Sequence, residues 1–397
     1  MLQFNPPANV FVPINPLLQC GEQWIHDHDQ YEDDDDDDGF HGPITFHVQL
    51  PGDDNKHRLN FNCRDKSSGV LLPSEPSVTK EDTYSDGPPS DPFFFEKGFY
   101  LEAKTGFQVW PGSRLMVEAF TTCSNSSSSS SSSSLMEELS HNSIGERLNI
   151  LEVGAGIGVV GSCLAAAGGN VLITDLPVLV EHGIRPNLRR NDGRANGSIC
   201  TVGSEDAEEC IRQQPCPKFL LDTSTATTTT TDTTTTTSSF DAVQIGKGWA
   251  KAAVLDWFKP VEEQLALSTT SDIDVIVACD CIFLRKLANP LLTTIAAIFE
   301  HSRSNNPKKF FFTFQRRNMM GLFIQLEELL GMIEERGWIV ECVAWRDVHV
   351  EDDGVHQNYL FQVTPSSANT TDSLDDNVFS SHRGTMNVAL VEEEEKE

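Results

Sequence analysis

The chain has 397 residues, 59 acidic against 29 basic side chains, and a formal net charge of −30. That charge disfavours non-specific binding to nucleic acid or to an anionic membrane surface, and no basic stripe offsets it. No apolar run reaches the roughly 18 residues of a membrane span, and the start of the chain lacks the basic and apolar regions of a secretory leader. Ten cysteines are scattered without CxxC pairs, which fits a reducing compartment, cytoplasm or nucleus.

In chain order, residues 1–97 read as a largely disordered region that includes the acidic run 33–38. His26-Asp27-His28-Asp29 sits in an unpatterned polar stretch and reads as a solvated loop, so no metal site is expected. Residues 44–50 and 58–63 alternate well enough for a small β-hairpin, and 74–92 read as a linker. A single domain is expected over 98–364, interrupted by low-complexity insertions at about 123–143 and 203–248 that carry polyserine and polythreonine. Such tracts lack the apolar side chains that offset ordering entropy. Residues 365–397 form an acidic tail.

The stretch from Leu148 to Asp175, LNILEVGAGIGVVGSCLAAAGGNVLITD, carries the most information. Leu148, Ile150, Leu151 and Val153 form the nearly continuous apolar run of a strand buried on both faces. Gly154, Gly156 and Gly158 then supply the backbone freedom of a helix-opening turn that approaches a ligand closely. Val159, Val160, Cys163, Leu164 and Ala167 recur at helical spacing, and Gly168-Gly169 stops the helix. Val171 to Ile173 form a second strand that delivers Asp175 to the carboxyl edge of the sheet, where a carboxylate suits a ribose diol.

Gly156 to Gly161 is a literal GxGxxG, so a dinucleotide site is one reading. Against it, the first glycine of that frame sits late after the strand, and Asp175 lies closer than the ~20 residues usual for the ribose-binding acid. Glu152 at the strand end would repel a pyrophosphate, whereas S-adenosylmethionine carries no phosphate and presents an ammonium and a sulfonium. The residues therefore favour S-adenosylmethionine.

Further along, 274–278 and 309–314 read as strands, 284–302 and 319–336 as helices, with Gly337 stopping the second. Residues 338–344 and 357–363 form a closing antiparallel pair. Pro186 should break or kink the helix after Asp175 near Arg185. Either 199–202 or 252–256 fills the third strand, the second being favoured because it carries Leu255-Asp256-Trp257. The whole is a doubly wound, mostly parallel α/β sheet with a reversed edge strand.

Taken in order, Gln108-Val109-Trp110-Pro111-Gly112-Ser113, the Glu152 to Gly158 turn, Thr174-Asp175-Leu176-Pro177, Val254 to Trp257 and Asp274 to Phe283 form a series more specific than any one motif. The series resembles the seven-β-strand protein lysine methyltransferases, the group whose members modify valosin-containing protein, chaperones, elongation factors and calmodulin. The resemblance covers residues 99–363 apart from the insertions. It implies a seven-stranded, Rossmann-like class I methyltransferase fold with S-adenosylmethionine as cofactor and a lysine-bearing protein as substrate. Carried over by position, it puts Trp110 against the cofactor, Gly154, Ala155, Gly156 and Gly158 in the methionine-side cradle, and Glu152 among the cofactor-binding residues. Asp175 and Leu176 fall at the ribose, Trp257 beside the adenine, and Ala278 and Cys279 along the pocket. Ordinary core packing is the alternative for both tryptophans.

Asp280-Cys281-Ile282-Phe283 falls on the family's acid-x-x-aromatic motif, with Phe where tyrosine is usual; calmodulin-type members resemble it in this. Methyl transfer is an in-line displacement that needs a neutral nucleophile at near-attack distance, and Asp280 is the expected orienting group. Desolvation lowers an acceptor lysine's pKa while the Asp280 carboxylate raises it. Phe283 retains an aromatic wall for a cationic amine, or else is a core residue opening the next helix. Rival functions are methylation of a small amine or a protein histidine, a cofactor-binding scaffold, and a nicotinamide enzyme. The composition is compatible with a monomer.

Overall fold

In the computed structural model the described residues are 4, 6–8, 41–49, 56–63, 106–107, 109–121, 134–141, 147–193, 215–221, 242–301, 308–316, 323–350 and 354–366. The apolar run ending at Val153 becomes β3 (Asn149–Val153), the middle of an eight-stranded sheet. Every residue of β3 but the first is buried, as a strand covered on both faces requires.

Parallel to β3 on one side runs β4 (Asn170–Asp175), then β6 (Gly248–Val254). On the other side run β7 (Val275–Ala278) and β8 (Lys309–Gln315), also parallel. Two antiparallel strands, β10 (Gly354–Pro365) and β9 (Trp338–Val350), close that edge, and β5 (Val243–Ile245) closes the other. The spatial order is β5-β6-β4-β3-β7-β8-β10-β9. After β3 the chain winds to one side and then returns to place β7 on the other. The β3/β7 junction is therefore the topological switch point, beyond whose carboxyl ends ligands bind in such sheets.

Helices α1 (Pro111–Thr121), α2 (Leu135–His141), α3 (Val159–Ala166) and α5 (Arg185–Arg190) lie on one face. They share an apolar core with Val171, Val277 and Phe311 of the strands. The opposite face is covered by α6 (Lys218–Leu221), α8 (Arg285–Glu300) and α9 (Leu326–Glu334), packed on Leu151, Ile276, Phe310 and Phe312. The short α4 (Pro177–Leu179) and α7 (Leu267–Asp272) complete the connections.

Several expectations are corrected. The sheet has eight strands rather than seven, because β5 turns through Gly246 into a hairpin with β6. Both β5 and α6 fall within 203–248, read above as an insertion; Lys251 Nζ donates to the Leu220 carbonyl at 2.8 Å and fastens α6 to β6. Of the two candidates for the third parallel strand, 252–256 overlaps β6, while 199–202 lies outside the described residues. Helix α2 lies within 123–143, and Ser134 opens it. The Ser134 amide donates to Glu137 Oε2 at 3.0 Å and the Glu137 amide to Ser134 Oγ at 3.3 Å, a reciprocal capping box.

Pro186 does not kink a regular helix. The chain widens into a π-helical segment, Val180–Ile184, and α5 restarts with Pro186 in its first turn, where a missing N–H is tolerated. The helix expected over 319–336 starts only at Leu326, because Phe323 forms a β-bridge with Leu284 and the Ile324 amide donates to the Phe283 carbonyl at 3.0 Å. The closing strands run beyond 338–344 and 357–363 in both directions or at one end.

The expected hairpin forms from β1 (His41–Gln49) and β2 (Lys56–Cys63), with Leu59 and Phe61 in the first core. Phe4, within the region expected to be disordered, packs edge-on against Tyr359 and Phe361 at 5.7 and 5.4 Å. The Trp345 indole N–H donates to the Pro7 carbonyl at 2.9 Å. The acidic run, the serine tract before Ser134, the threonine tract, 74–92 and the tail beyond 366 lie outside the described residues.

A buried ion pair fastens α1 to β9. Arg346 and Glu118, with side chains 1% and 3% exposed, meet at 2.8 Å, and Arg114 reaches the other Glu118 oxygen at 3.1 Å. Removing one member of a buried pair strands the other charge. Glu118→Leu should cost about 3–5 kcal/mol in urea unfolding, and Glu118→Leu/Arg346→Met should recover most of it. Equal losses in the single and double variants would contradict this account of the pair.

Candidate active site

The turn after β3 is built on left-handed backbone at Gly154, Gly156 and Gly158, with φ of 66°, 59° and 80°. At Gly154 a Cβ would come within 2.8 Å of Cys281 Cβ and 2.9 Å of Trp257 Cζ2, so both conformation and space exclude a side chain. Asp175, at the end of β4, locks the turn. Its Oδ2 accepts the Gly156 amide at 2.7 Å and its Oδ1 the Leu176 amide at 2.7 Å. Burial pushes the Asp175 carboxyl up to about 6, against the pull of those two donors.

Asp280, just beyond β7, is the one non-glycine residue with positive φ among the described residues, at 49°. Left-handed backbone is costly for a residue with a Cβ, though aspartate tolerates it better than most. The conformation turns the carboxylate to the first turn of α1, where Oδ2 accepts the Gly112 amide at 2.5 Å. Thr313 of β8 completes the hold, its hydroxyl donating to Oδ1 at 3.2 Å and accepting the Asp280 amide at 3.0 Å. A Cβ at position 112 would fall on Thr313 Oγ1 and the Asp280 carboxylate, so the contact requires glycine.

After β6, Asp256 stiffens the loop that carries Trp257. Its amide donates to Gln264 Oε1 at 2.7 Å, and its Oδ1 accepts the Phe258 amide at 3.0 Å. Trp110, preceding α1, and Phe283, preceding α8, face the same space.

These loops enclose a cavity of about 440 Å³ at the carboxyl ends of β3, β4, β6 and β7. Ten of the residues named from sequence line it. Gly154, Ala155 and Gly156 come from the glycine turn, Asp175 and Leu176 from β4, and Trp257 from the loop after β6. Trp110, Cys279, Asp280 and Phe283 supply the rest. The cavity thus joins the cofactor-type turn to the Asp280–Phe283 motif in one space.

Three residues named from sequence stand outside the wall. Glu152 is 1% exposed and accepts the Gly161 amide at 2.9 Å beneath α3. Burial pushes it up to about 8, with the neighbouring Asp175 charge raising it further, so at neutral pH its carboxyl is mostly protonated. The argument that Glu152 repels a pyrophosphate therefore loses its basis. Gly158 is the left-handed cap of α3, and a Cβ there would meet Ile184 rather than the cavity. Ala278 is fully buried in the core on the α8 side.

Sequence reading missed Gly106, Leu179, Phe258, Lys286 and Leu287 on the wall, and it quoted Ser113, Leu255, Asp256 and Cys281 in motifs without giving them a site role. Leu287 lies in the first turn of α8, just beyond the Asp280–Phe283 motif, a proximity that could have flagged it; Gly106 and Phe258 carry no such signal. Cys279 and Cys281 line the cavity, and burial holds both thiols well above their ordinary range, so neither is a thiolate. Among the described residues no group of three or more His, Cys, Asp or Glu could hold a metal, and no helix is long and apolar enough to cross a membrane.

A glycine turn and a strand-end acid at the switch point of a doubly wound sheet define a Rossmann-like protein built to hold a small organic cofactor. The sequence model of the family described as lysine methyltransferase matches residues 100–203 and 222–326. The chain belongs to this lysine methyltransferase family. No curated protein matches it. Similar solved structures include magnesium protoporphyrin IX methyltransferase of Synechocystis with bound SAH, 8% identical, covering 58% of this chain and 80% of that one at a TM-score of 0.32. A TehB-like SAM-dependent methyltransferase of Corynebacterium glutamicum is 15% identical, with 58% and 87% covered and a TM-score of 0.30. Likenesses this distant do not bear on substrate.

The neutral, buried Glu152 sets a pH dependence of folding. Its pKa is higher folded than unfolded, so the folded state is favoured most below about 4.5, where the carboxyl is neutral in both states, and loses stability as pH rises from about 4.5 to about 8. Glu152→Gln keeps an acceptor for Gly161 and should flatten the loss of stability across that window in urea unfolding at stepped pH. An unchanged slope would contradict the assignment.

Proposed function

We propose that this protein transfers a methyl group from S-adenosylmethionine to a lysine side chain of a protein substrate. The observation that carries the reading is the shared cavity, whose wall holds Asp175 and the glycine turn together with Asp280 and Phe283. Family membership supports both the donor and the acceptor chemistry.

When bound, S-adenosylmethionine supplies an electrophilic methyl group on sulfur. The residues that would hold it fit. Asp175 keeps acceptor capacity beyond its two backbone donors for ribose hydroxyls. Trp257 and Phe258 offer apolar surface for a base, and the turn at Gly154 and Ala155 borders the cavity where the amino-acid end would lie.

At the acceptor end, Asp280 orients the incoming amine by accepting its N–H. The carboxylate alone would favour a protonated, unreactive ammonium. Here its charge is partly offset by the α1 N-terminus, whose Gly112 amide it accepts. The offset leaves the apolar walls, Phe283 and Trp110, to favour the neutral amine by desolvation. Phe283 also presents a ring face to the cationic form on approach. Methyl transfer then needs alignment rather than a strong base. The free cysteines fit a reducing compartment, cytoplasm or nucleus, and the net charge of −30 fits a basic, lysine-bearing protein partner rather than nucleic acid. We assign the catalytic unit to residues 98–364.

Cofactor affinity should fall as pH drops through about 6, where Asp175 gains a proton, and Asp175→Ala should lose that pH dependence together with at least tenfold in affinity by calorimetry. The decisive assay is transfer of labelled methyl groups into a cell extract, with mass spectrometry of labelled bands. Wild-type protein should methylate lysine in a discrete protein, and Asp280→Ala should bind cofactor within about threefold of wild type yet transfer nothing. Label on histidine or on a small amine would replace lysine as acceptor. Tight cofactor binding with no label in any fraction would support a scaffold.

A further inference from the structure

The edge of β2 that faces away from β1 is paired by two side chains. Leu59 and Phe61, fully buried, point into the core, and the backbone of Asn60 and Asn62 faces α5. Asn191 Oδ1 accepts the Asn60 amide at 2.8 Å, and Asn191 Nδ2 donates to the Asn60 carbonyl at 2.8 Å. One helical turn earlier, Asn187 repeats the pattern with Asn62, at 2.8 and 3.2 Å. Four residues of helix advance about 6 Å and two residues of strand about 6.7 Å, so the two repeats match. A carboxamide offers one acceptor beside donors, as a peptide unit does. Two asparagines thereby stand in for a neighbouring strand, and both are 1% exposed.

They differ in where the remaining hydrogen goes. Asn191 Nδ2 donates to the Asn187 carbonyl of its own helix at 2.8 Å. Asn187 Nδ2 donates to the Ile157 carbonyl at 3.1 Å. Ile157 lies between the left-handed Gly156 and Gly158, and Asp175 holds the Gly156 amide. Asn187 therefore joins the hairpin, α5 and the glycine turn through hydrogen bonds of its single side chain.

We infer that Asn187 is a positioning residue of the cofactor site, through which the N-terminal hairpin holds the glycine turn in its binding conformation, whereas Asn191 only anchors the hairpin. The inference rests on the reading that this turn holds S-adenosylmethionine. Buried amides bonded to backbone lose more than the bond when truncated, because their partners are left unpaired. Both truncations should therefore destabilise the fold, and only one should reach the turn.

The test uses full-length wild type, Asn187→Ala, Asn191→Ala and Asn187→Asp, which keeps an acceptor for the Asn62 amide but has no donor for Ile157. Calorimetry with S-adenosylmethionine should show about a tenfold weaker Kd for both Asn187 variants and a change within twofold for Asn191→Ala, although both alanine variants melt earlier. The KM for S-adenosylmethionine should follow Kd while kcat stays within twofold. Hydrogen exchange at residues 154–158 supplies a readout that needs no cofactor, with faster exchange in the Asn187 variants alone. Equal effects of Asn187→Ala and Asn191→Ala on both readouts, or no effect of either, would overturn the assignment. Wild type that binds no S-adenosylmethionine would instead overturn the donor reading, while the exchange contrast still decides the positioning role. If Asn187→Ala does not fold, Asn187→Asp decides by the same criteria.

Discussion

The carboxylate of Asp280 against the first turn of α1 is the contact on which the Asp280–Phe283 wall of the cavity depends. It draws together the end of β7, the hydroxyl of Thr313 on β8 and the amide of Gly112, tying α1 to two strands that pair in parallel. The price is a left-handed aspartate, a conformation of about 1–2 kcal/mol, set against hydrogen bonds to a charged group that are each worth about as much. Strain of this kind survives where the surroundings over-determine it. Here the surroundings are a helix N-terminus and a strand, so the carboxylate is held on rigid elements rather than on a loose loop.

Two further acids of the parallel core, Asp175 and Glu152, show how burial divides labour among like groups. Asp175 and Glu152 both sit at strand ends of the parallel core, and each accepts backbone amides. Asp175 faces the cavity with two amides supporting its charge, and rises only to about 6. Glu152 faces the underside of α3 with one amide, and rises to about 8. One remains available as an anion at neutral pH, and the other serves as a neutral acceptor for Gly161 close against the helix. The distinction follows from the direction each side chain takes from its strand.

Much of this was legible in the sequence. The continuous apolar run ending at Val153, the spaced glycines and Asp175 specify a buried strand, a tight turn and a strand-end acid, and each occupies the place that periodicity assigned. The Asp280–Phe283 motif likewise lies on the wall it was expected to form. Tertiary contact decides what the sequence left unread. Glu152 looked like a cavity residue because strand alternation says which face a side chain takes but not whether a helix covers that face. Pro186 was absorbed by a π-helical turn that no propensity signals. The helix expected from 319 loses its first residues to a bridge between Phe323 and Leu284, a pairing of positions far apart in the chain. Phe4 finds Tyr359 and Phe361 across nearly the whole length of the sequence, and no local pattern announces that.

The most direct test of the central claim, that one cavity holds cofactor and acceptor lysine end to end, is a crystal structure with S-adenosylhomocysteine and a lysine-bearing peptide. The account predicts ribose hydroxyls on Asp175, the base beside Trp257, and the lysine nitrogen between Asp280 and Phe283 with the cofactor sulfur in line beyond it. A nucleotide seated away from Asp175, or a lysine entering on a face remote from Asp280, would contradict it.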